Sequence, residues 1–268
     1  MLWVLVPWYL TYIFLGLAIL FSLRSFAQTA DKPWIISWNL PTVITTFGMS
    51  AVMLIFIAIN AYLLSGWIPK THNLVNLSFP LAHGNYYAVN AGSNSVLNPH
   101  LKSLKPNPNF APRKGQSYAV EIVKIFPWGL RAEGTQPTDP QHYAIYGEQV
   151  FAPCDGSVVD TENNLPEMQV PARVRDLTKP YGNFALLKCN DIEVLLAHLK
   201  QGSIVVKRGD EVKTGDLLAE VGNSGDSKEP SLLISAQKRE TNQSLFSGEP
   251  LEILFDGDYL VRNERISP

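Results

Sequence analysis

Five histidines are the only imidazoles with which this chain could hold a metal or move a proton: His72, His83, His100, His142 and His198. An imidazole titrates near neutral pH and binds zinc through a neutral ring nitrogen. Two further residue types matter. Glu121, in the run YAVEIVKI (118–125), carries a carboxylate that can ligate zinc. Cys154 and Cys189 are the only cysteines, and no CxxC pair exists, so a cysteine-based zinc site is excluded. Taken singly, each candidate has a plain structural account. His198, in the apolar run IEVLLAHL (192–199), is a polar side chain satisfied at the wall of a groove. Glu121 is a solvated strand carboxylate, and His100, after Asn98-Pro99, is a loop histidine. An extracytoplasmic location would permit a disulfide between the cysteines, and two separate buried thiols are the alternative.

The elements that must position these groups are short strands. The runs QVFAPC (149–154), GSVVD (156–160) and NFALLKC (183–189) join those two. All are rich in β-branched and aromatic residues and bounded by turn residues. No helical pattern of useful length follows residue 70, so an all-β, mostly antiparallel domain is expected. Strand alternation puts Ala119, Glu121 and Val123 on one face, and Tyr118, Val120 and Ile122 on the other. In 203–221 two glycine turns, at Gly209 and Gly215, separate short strands. That texture also suits lipoyl-type domains, but the modifiable lysine in a tight turn is missing. Residues 69–117 are rich in Pro, Asn, Gly and Ser and read as an irregular connection with one or two short strands.

The N-terminal part is different. Residues 1–67 hold only Arg24, Asp31 and Lys32 as charged side chains. Segments 1–23 and 42–68 are apolar, uncharged and long enough for the roughly 20-residue crossing of a bilayer. Trp3, Trp8, Trp34, Trp38 and Trp67 lie near their ends, as an aromatic belt would. A cleaved signal peptide is the alternative for the first segment. No positive charge precedes it and Arg24 follows it, which favours an uncleaved helix. The basic connector points weakly to two crossings, with the β-domain outside the cytoplasm. The domain carries a small acidic excess of about −3, too weak to argue for nucleic acid or an anionic surface as partner.

Several segments, in order, resemble the LytM/lysostaphin-type zinc metallopeptidases, peptidase family M23. SYAVEIV (117–123), YGEQVFAPCDGSVV (146–159), YGNFALLKC (181–189) and LLAHLKQGSIVVKRGDEVKTGDLLAEVGNSG (195–225) carry it, and GEPLEILFDGDYLV (248–261) resembles the closing segment. The resemblance covers about 118–260 well and 79–117 loosely. It implies an antiparallel β-sandwich, the duplicated hybrid motif, preceded here by two transmembrane helices. The implied domains are a membrane anchor (1–68), a connection with a lead-in strand (69–117) and a LytM-like domain (118–268). In the family a histidine, an aspartate and the second histidine of His-x-His hold zinc, and two further histidines assist. His198 matches an assisting histidine. Glu121 stands in the aspartate's place. Ser117 stands at the usual first histidine, for which His100 is the substitute candidate. Ser231 and Leu233 replace His-x-His.

The expected function is therefore a membrane-anchored, non-catalytic LytM-like module that binds peptidoglycan or a cell-wall enzyme, without a cofactor. The alternative is an active zinc endopeptidase cleaving cross-bridge peptides, with His100 and Glu121 as metal ligands and a third from Asp226 or Glu229. A hammerhead-type transport adaptor would also suit a membrane anchor, but the coiled-coil hairpin of such adaptors is absent from the sequence.

Overall fold

The computed structural model describes residues 9–29, 40–70, 73–170, 178–240 and 242–268. Two helices come first, α1 (Tyr9–Thr29) and α2 (Leu40–Ser65). Within α2, Phe47–Ser65 is long and apolar enough to cross a membrane, with a mean hydropathy of 2.1, and none of it is buried against the protein. The apolar stretch Leu15–Arg24 of α1 is shorter. Trp3, Trp8, Trp34, Trp38, Asp31, Lys32 and His72 lie outside the described residues. Trp67, just past α2, is exposed.

The rest is β-structure. In chain order the strands are β1 (Leu74–Leu77), β2 (Tyr86–Asn90), β3 (Val120–Lys124), β4 (Gln149–Phe151), β5 (Gly156–Glu162), β6 (Asn183–Cys189) and β7 (Ile192–Leu199). They continue with β8 (Glu211–Val212), β9 (Leu217–Glu220), β10 (Leu232–Lys238), β11 (Glu249–Phe255), β12 (Asp258–Tyr259) and β13 (Arg265–Ile266). The large sheet runs β13-β2-β3-β10-β7-β6-β5-β8. β11 also pairs with β10 and carries β1 and β12. β4 and β9 form a separate two-stranded sheet. Every pairing is antiparallel except β1 with β11. The connection 91–119 contains two 3₁₀ helices, Pro99–Leu104 and Ala111–Gln116.

The core lies on one face of the large sheet. Val120 and Ile122 of β3, Leu196 of β7 and Leu232 and Ile234 of β10 pack there with Val150 and Leu218 of the small sheet. On the opposite face a smaller cluster of Ala119, Leu186, Leu195, Ala197 and Leu233 surrounds Tyr181. The alternation expected for 118–123 accounts for this division, since odd and even positions of β3 enter different layers. Cys154, just after β4, and Cys189, at the end of β6, form a disulfide with Cα atoms 6.1 Å apart. Two separate thiols are thereby replaced by one covalent link between the β4–β5 turn and the end of β6.

Candidate functional site

Four strands bring the site together. Asn90 of β2 stands opposite Glu121 of β3, Glu121 opposite Leu233 of β10, and Leu233 opposite Ala197 of β7. Directly opposed residues have Cβ atoms roughly 4.5–5.5 Å apart on the same face. Both Glu121 carboxylate oxygens are engaged. Ser231 Oγ donates to Oε1 at 2.9 Å, and the Asn90 amide donates to Oε2. His100 Nε2 lies 3.9 Å from Oε2, an electrostatic contact and not a hydrogen bond. Burial pushes the carboxyl pKa up. The neighbouring His100, the charge of His198 and the Asn90 bond together outweigh burial and hold it at about 2. Glu121 is thus an anion at neutral pH, and not the solvated strand carboxylate of the plain account.

His198 reaches this cleft by breaking a rule. It follows Ala197, which already faces the cleft, so strict alternation would send His198 into the core layer. Its φ is +64°, a left-handed conformation uncommon outside glycine, and the β6–β7 register shifts there. The bulge turns the imidazole back beside Glu121. Backbone bonds hold it: His198 N–H donates to the Tyr181 carbonyl (3.0 Å) and Nδ1–H to the Ser224 carbonyl (2.8 Å). That Ser224 carbonyl is placed by Gly222-Asn223-Ser224-Gly225 packing on Gly182. A Cβ at Gly225 would meet Gly182 N at 2.3 Å, and one at Gly182 would meet Ser224 at 2.4 Å.

Burial pushes the His198 pKa down, against the opposing pull of Glu121 and of its bond to Ser224. The folded state therefore takes its proton at lower pH than the unfolded chain does. Its contribution to stability is complete above the unfolded pKa of about 6.5 and fades as pH falls towards the folded value, by at most about 1.4 kcal/mol per pH unit. His198→Asn keeps a donor for Ser224 and tolerates positive φ. Urea melts of this variant should show a shallower loss of stability below pH 6.5 than the parent. Parallel curves would contradict a buried neutral imidazole.

Around these groups lies a cleft of about 210 Å³, lined by His100, Gln116, Glu121, Tyr181, His198 and Leu233 among others. A wider pocket of about 540 Å³ adjoins it and shares Arg113, Pro180 and Tyr181. Its aromatic wall is Tyr181 and Phe184 against Phe246, with ring centroids 4.2 and 5.5 Å apart. The two form one groove, charged and polar at one end and aromatic at the other.

The structure brings His100, Glu121 and His198 together. His83 instead bonds the Pro268 carbonyl at 2.7 Å, and His142 pairs with Glu133 at 2.8 Å. Glu229 is committed to Arg131 through two bonds of 2.8 and 2.7 Å, which removes it as a third ligand. Asp226 lines the cleft. A zinc site of the resembled kind does not fit these residues. The third ligand position is an apolar Leu233 buried in its own cluster, and among the described residues no group of three His, Cys, Asp or Glu could hold a metal.

Residues 141–245 match peptidase family M23. The matched M23 segment contains His198, Ser231 and Leu233 and begins after His100 and Glu121. Among solved structures, the chain is similar to a zinc-containing peptidase from Vibrio cholerae, at 24% identity and TM-score 0.27. That similarity covers 35% of this chain and 24% of the other. It is also similar to lysostaphin from Staphylococcus simulans, at 18% identity, 65% and 49% coverage and TM-score 0.31. A chain of the SpoIIIAH–SpoIIQ complex is similar at 14% identity, 66% and 96% coverage and TM-score 0.38. The chain thus spans about a quarter to a half of the length of the first two. No curated protein matches it.

Two site residues had no signal in the sequence. Asn90 sits in the loosely resembling lead-in strand. Arg262 lies between β12 and β13 and donates to the Asn90 side-chain oxygen at 2.6 Å and to the Val89 and Val96 carbonyls at 2.8 Å. A chain Arg262–Asn90–Glu121–Ser231 closes the cleft floor. Each link joins residues far apart in sequence, so no local motif announces it.

Proposed function

We propose that this chain is a membrane-anchored, non-catalytic module with an M23-type peptidase fold, whose groove binds peptidoglycan or a cell-wall enzyme. Its parts are an anchor of two membrane spans (1–68), a connection (69–117) and the M23-type domain (118–268), held outside the cytoplasm. The reading rests on one observation: the carboxylate at the floor of the cleft is occupied by Ser231 and Asn90 with Leu233 directly opposite. The cleft is formed, and Ser231 and Leu233 stand where the resemblance places His-x-His. The Cys154–Cys189 disulfide supports an oxidising compartment, and the uncovered apolar surface of α2 supports the anchor.

Purified full-length protein, loaded with excess zinc and then dialysed, should retain far less than one zinc per chain. It should pull down on isolated cell walls without releasing peptide fragments. Stoichiometric zinc together with hydrolysis of cross-bridge peptides would overturn this reading in favour of an endopeptidase with an atypical ligand set.

A further inference from the structure

The end of α2 is built into the β-domain and is not a free tether. A helix ordinarily leaves its last four carbonyls without partners. Here the Asn94 amide donates to the Tyr62 carbonyl (2.7 Å) and the Leu63 carbonyl (3.3 Å). Ser93 N–H donates to the Gly66 carbonyl (3.0 Å), and Ser93 Oγ to the Ile68 carbonyl (2.7 Å). Both side chains are almost fully buried. The packing is tight: a Cβ at Gly66 would meet Asn94 Nδ2 at 2.5 Å and Leu97 Cδ1 at 2.6 Å.

The height of this junction follows from one further bond. Tyr62 OH lies 3.1 Å from Ser95 Oγ. Tyr62 is one turn back along α2 from Gly66, about 5–6 Å deeper towards the apolar stretch. Ser95 therefore lies beside the last turn of the helix, which the exposed Trp67 and Ile68 follow. The surface next to Ser95 is amphipathic. Val96 and Leu104 are large exposed apolar side chains, and Lys102 and Lys105 are exposed with them. The charge of this stretch of sequence is one-sided: residues 69–120 contain Lys70, Lys102, Lys105, Arg113 and Lys114 and not one Asp or Glu, with Lys114 paired to Glu249 of β11. The domain-wide balance of −3, which argued against an anionic surface, averages this away.

We propose that residues 95–105 form a membrane-docking surface seated in the headgroup layer of an anionic bilayer, with Val96 and Leu104 at the acyl boundary and Lys102 and Lys105 on the headgroups. The inference rests on the membrane-anchor reading. It adds that the β-domain is held against the bilayer at a fixed orientation. The 3₁₀ helix Pro99–Leu104 also supplies Pro99, His100, Lys102 and Ser103 to the cleft, so Lys102 stands where the cleft meets the docking surface. The cleft consequently opens beside the membrane surface and serves a ligand or partner that is itself held there.

The test uses the full chain in vesicles containing phosphatidylglycerol, with a bimane label on a single introduced cysteine and a spin-labelled lipid as quencher. The native cysteines are paired and take no label. Val96→Cys reports the surface and Trp67→Cys the helix end. Val205→Cys is exposed in the connection leading to β8, at the opposite edge of the large sheet. Labels at 96 and 67 should be quenched to a similar degree, and the label at 205 should not. Adding Lys102→Glu and Lys105→Glu should reduce quenching at 96 while leaving it at 67. Quenching at 67 with none at 96 overturns the docking surface and leaves the anchor standing. No quenching at either position overturns both. Quenching at 96 that is unchanged by the charge reversals overturns the anionic headgroup contact.

Discussion

Replacing Ser231 and Leu233 together by histidine should convert a chain that loses zinc on dialysis into one that holds about one ion per molecule. The geometry of the remaining groups is the reason. Two ligands on a tetrahedral zinc, with bonds of about 2.0–2.1 Å, sit roughly 3.3 Å apart. His100 Nε2 and Glu121 Oε2 are 3.9 Å apart, within side-chain adjustment of that spacing. Leu233 is directly opposite Glu121, so an imidazole introduced there projects over the same carboxylate. Ser231→His removes the hydroxyl that occupies Oε1. A third ligand on a two-ligand site should raise zinc affinity on the order of a hundredfold or more, since structural zinc binding is worth about 10–16 kcal/mol across four ligands. Leu233→His alone should supply most of the gain, and Ser231→His alone little. Without metal, the Leu233→His single variant and the double variant should both be less stable than the parent, because an imidazole replaces an apolar side chain packed against Ala197, Leu195 and Tyr181. Zinc should restore that stability. The measurements are metal content after dialysis and melting temperature with and without zinc. A double variant that folds normally and still releases zinc would show that His100 and Glu121 are not remnants of a metal site.

The sequence carried much of this site through local pattern. The division of 118–123 between two layers follows from alternation alone, and Val120 and Ile122 enter the core while Glu121 faces the cleft. Ser231 and Leu233 are read from the sequence as standing where the resembled family has His-x-His. What pattern could not give depends on contacts across the sheet. His198 faces the cleft only because of a bulge at positive φ, which alternation would have missed. The state of Glu121 depends on Asn90, 31 residues before it, and Ser231, 110 residues after it. The pairing of Cys154 with Cys189 depends on β5 being laid against β6, which brings the turn before β5 beside the end of β6, and spacing does not report that. The lysines and arginine of 70–114 are visible in the sequence, where they weaken the charge rule for topology, but the net value of the domain discards their position.

Breaking the Cys154–Cys189 bond should cost the domain more than any single surface change. The bridge spans 35 residues of chain and ties the turn between β4 and β5 to the end of β6. Restricting the unfolded chain over a loop of that size contributes about 3–4 kcal/mol in the chain-entropy account. For a domain of about 200 residues that lowers the melting temperature by about 10 °C. Cys154→Ala with Cys189→Ala should show this loss, and reductant should impose it on the parent while leaving the double variant unmoved. A parent that melts at the same temperature with and without reductant would show that the domain holds together without the link. The cleft offers an internal control. Glu121, Ser231 and His198 belong to β3, the turn before β10 and β7, and none of them touches either cysteine. The pH dependence below 6.5 assigned to His198 should therefore keep its slope in the reduced protein, displaced to lower stability throughout. A slope that changed with reduction would mean that the bridge also sets the geometry of the cleft. The size of the loss also measures how much the domain depends on oxidising conditions.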